Sequence, residues 1–379
     1  MSNDRNLFIS LAFVLLGFGV MMVHSASITS WPTEYERVYL SRHLAFAFAG
    51  VVAAVICSVI PGRFWYRMAP AIFIVTAILL VLVAIPGIGS RVNGARRWLR
   101  YGDLSLQPSE LAKIAIPLLM ARLLVTRHGK TRDSWWRAAC VILPSALIIP
   151  LVAIEPDLGT SVFLLAVTLV ALIVGAWPVR YFVGTMACAV PAGVCFSLFM
   201  LKPYQLARLT GFVDAWRDVS HAPWQVKQSL VSLGAGGIPG VGIGRGWQKL
   251  SYLPEANTDF VFAVVGEELG LIGTLGIVTL WCGLFLTGIR LLRNLPERSF
   301  ALVAGTTLLA QLVLQAAINV AVATAMLPNN GLALPLISYG GSNLVTSMVC
   351  LGIIISLSTA KPGIDTCWSP ALTHATFTE

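Results

Sequence analysis

The sequence contains very few charged residues. Asp, Glu, Lys and Arg together make up 11% of its 379 residues, whereas hydrophobic types make up 57% and the mean hydropathy is +0.80. A soluble globular domain carries about 25% charged residues, because its surface faces water. The composition therefore excludes an ordinary soluble protein and predicts an integral membrane protein.

Arrangements that hold metals or disulfide frameworks are also absent from the sequence. The seven cysteines lie mostly inside apolar stretches, with no CxxC pair and no Cys/His cluster. This pattern is typical of small packing residues, so we predict neither disulfides nor a dedicated metal site. No repeat or soluble domain boundary is visible either. We expect one membrane domain over residues 1–360, followed by a disordered cytoplasmic tail over 361–379.

Long apolar runs dominate the chain instead. They are about 18 to 25 residues long, which is the length that a helix needs to cross the hydrocarbon core. They predict an all-α, polytopic membrane protein. The expected fold has about ten transmembrane helices, over residues 7–27, 44–60, 70–86, 108–125, 138–154, 159–177, 181–201, 260–290, 300–326 and 339–359.

The connection between the seventh and eighth spans, about 202–259, is much longer than the others. Such a length indicates a functional or disordered segment, and its tryptophans argue against disorder. It contains glycines at 234, 236, 237, 240, 242, 244 and 246. These glycines predict either a backbone that approaches a phosphate or simply a tight, irregular loop.

The net charge of +9 would indicate a nucleic-acid partner in a soluble protein. Here the basic residues lie between apolar runs, where orientation and lipid phosphate explain them, so no nucleic-acid partner is predicted. With the N-terminus inside, the inner loops hold 13 of the 26 Lys and Arg residues, so the inner and outer loops carry equal numbers of basic residues. Eleven of the outer ones lie in 91–113 and 202–249. If these are functional loops, the remaining charges place both termini in the cytoplasm.

A basic and aromatic segment follows the third span. Arg96 and Arg100 are four residues apart and share a face if the segment is helical. With Arg97 and the neighbouring Trp98 and Tyr101, they suit a helix lying at the level of the lipid headgroups. The segment either clamps a lipid diphosphate or only anchors the protein at the interface.

Charged residues also occur at the mouths of two spans. Glu110 and Lys113 are three residues apart at the start of the fourth span. They form either a substrate site or a structural ion pair. Asp259 is expected in the first turn of the eighth span, capped by Asn257 or Thr258, where the helix dipole favours its ionised form. An aspartate there suits a general base.

Two glutamates follow Asp259 inside the eighth span. At about 100° per residue, Glu267 lies roughly 80° around the helix from Asp259 and Glu268 roughly 180°. We therefore expect only Glu267 to share a cavity with Asp259, as a substrate-binding residue.

Polar residues recur near the end of the chain. Gln311, Gln315 and Asn319 line one face of the ninth span, either for hydrogen bonds between helices or as a cavity lining. Two prolines and three glycines interrupt residues 327–342. Irregular backbone at membrane depth has to be buried in protein or line water, so Ser338 and Tyr339 become candidate substrate contacts.

Ten short segments of the sequence carry a resemblance to a known family, namely residues 24–27, 93–98, 107–113, 155–160, 228–230, 234–237, 248–255, 258–260, 266–270 and 336–342. Together these strings resemble the FtsW/RodA/SpoVE (shape, elongation, division and sporulation) family from the first span to the tenth. The strings at 24–27 and 248–255 are more similar to the division and sporulation branch than to the elongation branch. Trp247, Asn257 and Ser105 depart from residues common in the family, and Ser105 weakens any case for a cation there.

The resemblance implies a peptidoglycan glycosyltransferase of the bacterial plasma membrane that uses lipid II, an undecaprenyl-diphosphate disaccharide-peptide. It implies ten spans, both ends in the cytoplasm and a cavity facing outward and to the bilayer. The family's essential aspartate falls on Asp259, and the Glu and Lys of its span-four motif fall on Glu110 and Lys113. The expected partners are a class B penicillin-binding protein and other division or elongation membrane proteins.

The expected reaction is inverting glycosyl transfer with Asp259 as the base. Arg96, Arg97, Arg100 and Lys113 are the candidates for neutralising the leaving diphosphate. A divalent cation such as Mg²⁺ is a further candidate that could act together with these basic residues. Two other functions fit the same sequence features, namely a flippase for lipid II and a non-catalytic scaffold for a transpeptidase.

Overall fold

The computed structural model describes residues 2–27, 34–92, 95–102, 104–127, 135–200, 212, 216, 222–247, 253 and 255–359. The tail over 361–379, Asn93 and most of the 248–255 string lie outside these residues. The helices are α1 (Ser2–Ser27), α2 (Glu34–Val59), α3 (Gly62–Ala84), α4 (Pro108–Arg127), α5 (Trp135–Ile154), α6 (Leu158–Val174), α7 (Val179–Met200), α8 (Trp224–Gly236), α9 (Val261–Leu292), α10 (Phe300–Ala323) and α11 (Gly341–Ser358). The strands are β1 (Ser90–Val92), β2 (Ala95–Tyr101) and β3 (Leu104–Leu106).

The polytopic helical fold is confirmed. Among the described residues, six helices are long and apolar enough to cross a membrane, namely α1, α2, α3, α9, α10 and α11. Two shorter apolar helices, Ala138–Ile154 and Leu158–Val174, belong to α5 and α6. The number of ten transmembrane helices stays a prediction.

Helix α4 lies at the centre of the bundle. It packs against α3, α5, α6, α10 and α11, and nearly every residue from Pro108 to Ala121 is buried. A helix enclosed on all sides carries its few polar side chains into the protein interior. Glu110 and Lys113 are therefore brought next to polar residues of α10 and α11 rather than to lipid.

The segment before α4 forms a small antiparallel sheet in the order β1-β2-β3, so the predicted interfacial helix is wrong. The tight turn at Gly102, whose φ is +58°, reverses the chain between β2 and β3. The pairing of β1 with β2 contains a bulge at Arg97, because Ser90 pairs with Trp98 and Arg91 pairs with Arg96. The even spacing of Arg96 and Arg100 therefore does not by itself place the two arginines on one face of β2. The sequence spacing alone does not distinguish these two secondary structures.

Helix α9 is interrupted one third of the way along by Gly270, with φ +63° and ψ −158°. The interruption leaves backbone groups without partners inside the helix, and residues 237–242 supply them. Leu271 N donates to Gly237 O at 2.9 Å, and Gly242 N donates to Glu268 O at 2.9 Å. The break in α9 and the segment after α8 thus satisfy each other's backbone, as a membrane protein requires.

This pairing needs glycine at the point of closest approach. A methyl group on Gly236, the last residue of α8, would lie 1.8 Å from the carbonyl oxygen of Gly266 in α9. A methyl group on Gly234, two residues earlier in the same helix, would meet nothing within 4 Å.

We expect Gly236→Ala to lower the thermal stability markedly, because α8 has to move away from α9. Gly234→Ala is the matched control and should be neutral or stabilising by up to about 1 kcal/mol through helix propensity. Melting of the two purified variants in detergent, followed by tryptophan fluorescence, measures the difference. Equal melting temperatures would contradict the close contact between α8 and α9.

Candidate functional site

Asp259 lies in the turn over residues 255–260, immediately before α9. Phe260 is fully buried and anchors the turn, and its N–H donates to Glu255 O at 3.2 Å. The helix begins at Val261 with Phe260 as its N-cap, and no side chain caps it. The predicted capping by Asn257 or Thr258 is therefore wrong, and Asp259 precedes the first helical turn rather than lying in it.

The position of Asp259 is fixed from α10. Asn319 Nδ2 donates to the carbonyl oxygen of Asp259 and to that of Leu332, each at 2.8 Å. The backbone at Gly331, with φ +74°, passes beside the carboxylate, since a methyl group there would lie 3.8 Å from Asp259 Oδ2. Asn319 thus holds the aspartate turn and the irregular 327–340 segment together.

Glu110 and Lys113 form a buried ion pair, as their spacing predicts. Lys113 Nζ lies 2.7 Å from Glu110 Oε1 and donates to Gln315 Oε1 at 3.1 Å. The ammonium also lies 5.5 Å from the ring centroid of Phe163. Lys113 is 3% exposed and Glu110 6%, so both are sequestered from bulk water.

The polar face of α10 joins this ion pair to Asp259. Gln315 accepts from Lys113 and donates to Ala333 O at 2.7 Å and to Asn343 Oδ1 at 3.0 Å. Asn319, one turn further along α10, contacts the Asp259 turn. One turn of α-helix rises about 5.4 Å, so the lysine and the aspartate are held at neighbouring levels of one helix. The spacing of Gln311, Gln315 and Asn319 predicts this polar face but not its role in joining the two sites.

Arg97 anchors the sheet to the bundle. Its guanidinium donates to Glu155 O at 2.9 Å and to Pro156 O, and lies 3.8 Å from Asp157 Oδ1. These contacts hold Arg97 against the corner between α5 and α6, and its assignment as a diphosphate ligand stays a prediction. Arg96 and Arg100 keep the same assignment as a prediction.

The corner between α5 and α6 organises the entrance to α4. Asp157 caps α6 by accepting from Thr160 N at 3.2 Å, and it accepts from Gln107 Nε2 at 3.3 Å. A methyl group on Gly159 would lie 1.9 Å from Asn330 O, so the corner is pressed against the 327–340 segment. The sequence assigns no role to the 155–160 string. An aspartate before an apolar run is typical of a helix N-cap, and this feature predicts the capping role of Asp157.

Glu155 lies in this same corner, outside the helices. Its side chain is buried, and within the described structure neither carboxyl oxygen has a hydrogen-bond partner. Burial and the nearby Asp157 carboxylate, partly offset by Arg97, raise the pKa of Glu155 to about 8. From the ordinary glutamate pKa of about 4.3 up to that value, the folded state keeps a proton that the unfolded state releases. Stability is therefore lost as the pH rises through this window.

We expect Glu155→Gln to melt at a higher temperature than the parent protein at pH 8 and above. The amide remains neutral at every pH, so the variant should lack the loss of stability between about pH 5 and pH 8. Melting curves over this range check the prediction. Glu297→Gln, at an exposed carboxylate between α9 and α10, is the control. A pH response of Glu155→Gln equal to that of the parent would contradict it.

Glu267 and Glu268 hold the glycine-rich segment against α9. Glu267 Oε1 accepts from Trp247 N at 2.7 Å. Glu268 accepts from Ser25 Oγ of α1 at 2.6 and 2.7 Å and from Gly244 N at 3.1 Å. Both are buried. Glu267 is therefore engaged with the loop, and its role as a substrate-binding residue beside Asp259 stays a prediction.

Ser338 and Tyr339 belong to the turn that precedes α11. Ser338 is buried and its hydroxyl accepts from Leu334 N at 2.9 Å, so it stabilises the turn. Tyr339 N donates to Asn257 O at 2.8 Å, which ties this turn to the Asp259 turn. Tyr339 is half-buried, with its ring 6.0 Å from that of His43. Of the two, Tyr339 is placed beside the candidate site.

A cavity of about 350 Å³ lies elsewhere, between α3, α4 and α5. Its lining is apolar apart from Arg122, and it contains none of the predicted site residues. Over the described ranges, no three His, Cys, Asp or Glu side chains converge in a way that could hold a metal ion. The participation of a divalent cation stays a prediction.

Comparisons with known proteins agree with the sequence strings. The family model FTSW_RODA_SPOVE, described as a cell cycle protein, matches residues 5–362. A probable peptidoglycan glycosyltransferase FtsW from Geobacter sp. (strain M18) is 37% identical over 93% of this chain and 96% of its own length. One of the same name from Hahella chejuensis (strain KCTC 2396) is 38% identical over 91% of this chain and 88% of its own.

Two solved structures are similar to this fold. A chain from a study of structural coordination of polymerization and crosslinking by a peptidoglycan synthase complex is 27% identical, with a TM-score of 0.74 over 93% of this chain and 96% of that one. The rod shape determining protein RodA of Thermus thermophilus is 25% identical, with a TM-score of 0.67 over 93% and 95%. The two relatives bear the name FtsW, in agreement with the resemblance to the division branch. This chain is a member of the FtsW/RodA/SpoVE family.

Proposed function

We propose that this protein is a peptidoglycan glycosyltransferase that extends glycan strands from lipid II during septal wall synthesis. The carrying observation is the placement of Asp259 and Lys113 at neighbouring turns of α10, through Asn319 and Gln315. A carboxylate and an ammonium that are both positioned from one face of α10 suit a base and a charge that stabilises a leaving group. Relatives that cover nearly the whole chain carry the name of this activity.

In the proposed reaction, Asp259 takes the proton from the 4-hydroxyl of the acceptor N-acetylglucosamine. The resulting oxygen attacks C1 of the donor sugar on the opposite side from the lipid diphosphate. A new C1–O4 bond forms, the bond from C1 to the diphosphate oxygen breaks, and the configuration at C1 inverts. The lipid diphosphate leaves with the bonding electron pair.

The leaving diphosphate needs positive charge as this bond breaks. Lys113 carries that charge from within the bundle, and Glu110 fixes its position. Arg96 and Arg100 of β2 are the proposed additional contacts. Tyr339 and the 327–340 segment border the Asp259 turn and are proposed to contact the sugars.

The same proposal assigns the membrane context. The protein lies in the bacterial plasma membrane with residues 1–360 as one domain, both termini in the cytoplasm and Asp259 outside. A class B penicillin-binding protein is the proposed partner, because a similar solved chain comes from a complex that couples polymerization and crosslinking. Other division membrane proteins are expected around them.

Polymerisation of purified, fluorescently labelled lipid II in detergent tests the function, with and without a class B penicillin-binding protein. We expect a ladder of long glycans on a gel. Adding EDTA, then excess Mg²⁺, shows whether a divalent cation takes part. No ladder under any condition, together with movement of labelled lipid II across vesicle membranes, would favour the flippase. Neither activity would favour the scaffold.

A further inference from the structure

Residues 241–247 alternate between glycines and outward-facing side chains. Val241, Ile243, Arg245 and Trp247 are exposed, with Ile243 at 54% and Trp247 at 71%. The intervening residues 242, 244 and 246 are glycines. A row of exposed apolar, cationic and aromatic side chains beside apolar membrane helices needs an explanation, because water is a poor solvent for it.

The glycines of this segment face α9. Gly242 N and Gly244 N donate to the carbonyl oxygen and to Oε2 of Glu268, respectively. A methyl group on Gly246 would lie 2.9 Å from Glu267 Oε2. Contact with α9 on one side fixes which side chains face outward on the other. We call Ile238, Val241, Ile243, Arg245 and Trp247 the outward row.

The level of the outward row relative to the membrane follows from α9. This helix has 32 residues, about 48 Å, whereas the hydrocarbon core is about 30 Å thick and needs about 20 residues. Counting about 20 residues back from Arg290, the cation in its last turn, leads to Gly270. The boundary of the hydrocarbon therefore lies at the break in α9.

Burial along α9 agrees with this boundary. All residues from Val261 to Glu268 are buried, whereas Leu271, Ile272 and Leu275 are exposed and apolar. The outward row is attached at this transition, since Ile272 N donates to Ile238 O at 3.3 Å. Its apolar members therefore begin beside the exposed apolar surface of α9.

We propose that the outward row is seated in the membrane surface on the side of Asp259. Ile238, Val241 and Ile243 contact the upper acyl chains, while Arg245 and Trp247 lie among the phospholipid headgroups, where basic and indole side chains are favoured. The row would then hold the long loop, and through Glu267 and Glu268 the outer part of α9, at a fixed depth. Contact of the outward row with phospholipid does not depend on the glycosyltransferase reaction.

Spin labelling in nanodiscs tests this seating without a partner protein or lipid II. An encoded p-acetylphenylalanine at position 243 carries a nitroxide, so the native cysteines stay in place. We expect its ratio of O₂ to nickel-complex accessibility to match that at position 275 and to exceed that at position 255 several-fold. Glu255, exposed in the turn before α9, is the water-facing control. Equal ratios at 243 and 255 would overturn the proposal.

A second measurement guards against disturbance by the label. A diazirine amino acid at position 243 should give phospholipid adducts by mass spectrometry after irradiation, whereas one at position 255 should not. Adducts to protein alone, from a second copy or a copurified partner, would overturn the lipid assignment. Because neither measurement uses lipid II, a failure here and a failure of the polymerisation assay are separate results.

Discussion

Asp259→Asn is expected to abolish glycan polymerisation while the protein remains folded. The amide keeps the size of the side chain, and the contact from Asn319 goes to the backbone carbonyl, so the turn should be preserved. The amide is no base, and loss of a general base typically costs roughly 10²- to 10⁴-fold in rate. The lipid II gel assay measures this loss directly.

The control for this variant is Glu297→Gln, which makes the same chemical change at an exposed position between α9 and α10. It should polymerise normally. Binding of the penicillin-binding protein by Asp259→Asn should also be normal, which separates loss of chemistry from loss of assembly. Normal glycan product from Asp259→Asn would contradict the assignment of the base and favour a flippase or a scaffold.

Lys113→Met should lose both stability and activity. The change leaves the Glu110 carboxylate buried without its cation, and breaking a buried ion pair in this way typically costs about 3–5 kcal/mol. It also removes the proposed positive charge for the leaving diphosphate. Melting temperature and polymerisation rate are measured on the same preparation.

The double variant Glu110→Gln/Lys113→Met separates these two effects. It buries no net charge, so most of the lost stability should return, because neutral replacements of buried ion pairs are often tolerated. Activity should stay lost if the ammonium serves the reaction. A double variant that is both stable and active would show that the pair is purely structural.

The sequence predicted those parts of the fold that depend on local patterns. Apolar runs of membrane length lead directly to α1, α9, α10 and α11, with boundaries a few residues off, whereas α3 begins at Gly62, eight residues before the predicted span. The pairing of Glu110 with Lys113 follows from their spacing on one helix. The β2 strand was mistaken for a helix, because two arginines four residues apart are compatible with either structure. Their spacing reveals neither the pairing of β2 with β1 and β3 nor the bulge at Arg97.

Contacts between distant segments could not be predicted in this way. The helical wheel gives the directions of Glu267 and Glu268 but not that a loop some twenty residues earlier folds back onto them. Similarly, Arg97 faces Asp157 only because the sheet packs on the α5–α6 corner. Periodicity determines the face of an element, whereas the partner on that face is set by the tertiary arrangement.

The location of Glu110 and Lys113 on a single helix matters during biosynthesis. Gln315 lies 202 residues after Lys113, so α4 enters the membrane long before α10 has been made. An unpaired charge costs about 2.5–3.5 kcal/mol at the centre of an inserting helix, and Lys113, near the start of α4, would carry a smaller cost of the same kind. Because the two residues can neutralise each other within α4, that helix can be inserted without waiting for a later one. Moving the carboxylate to α10 would keep the finished ion pair but leave the nascent chain with an unpaired lysine.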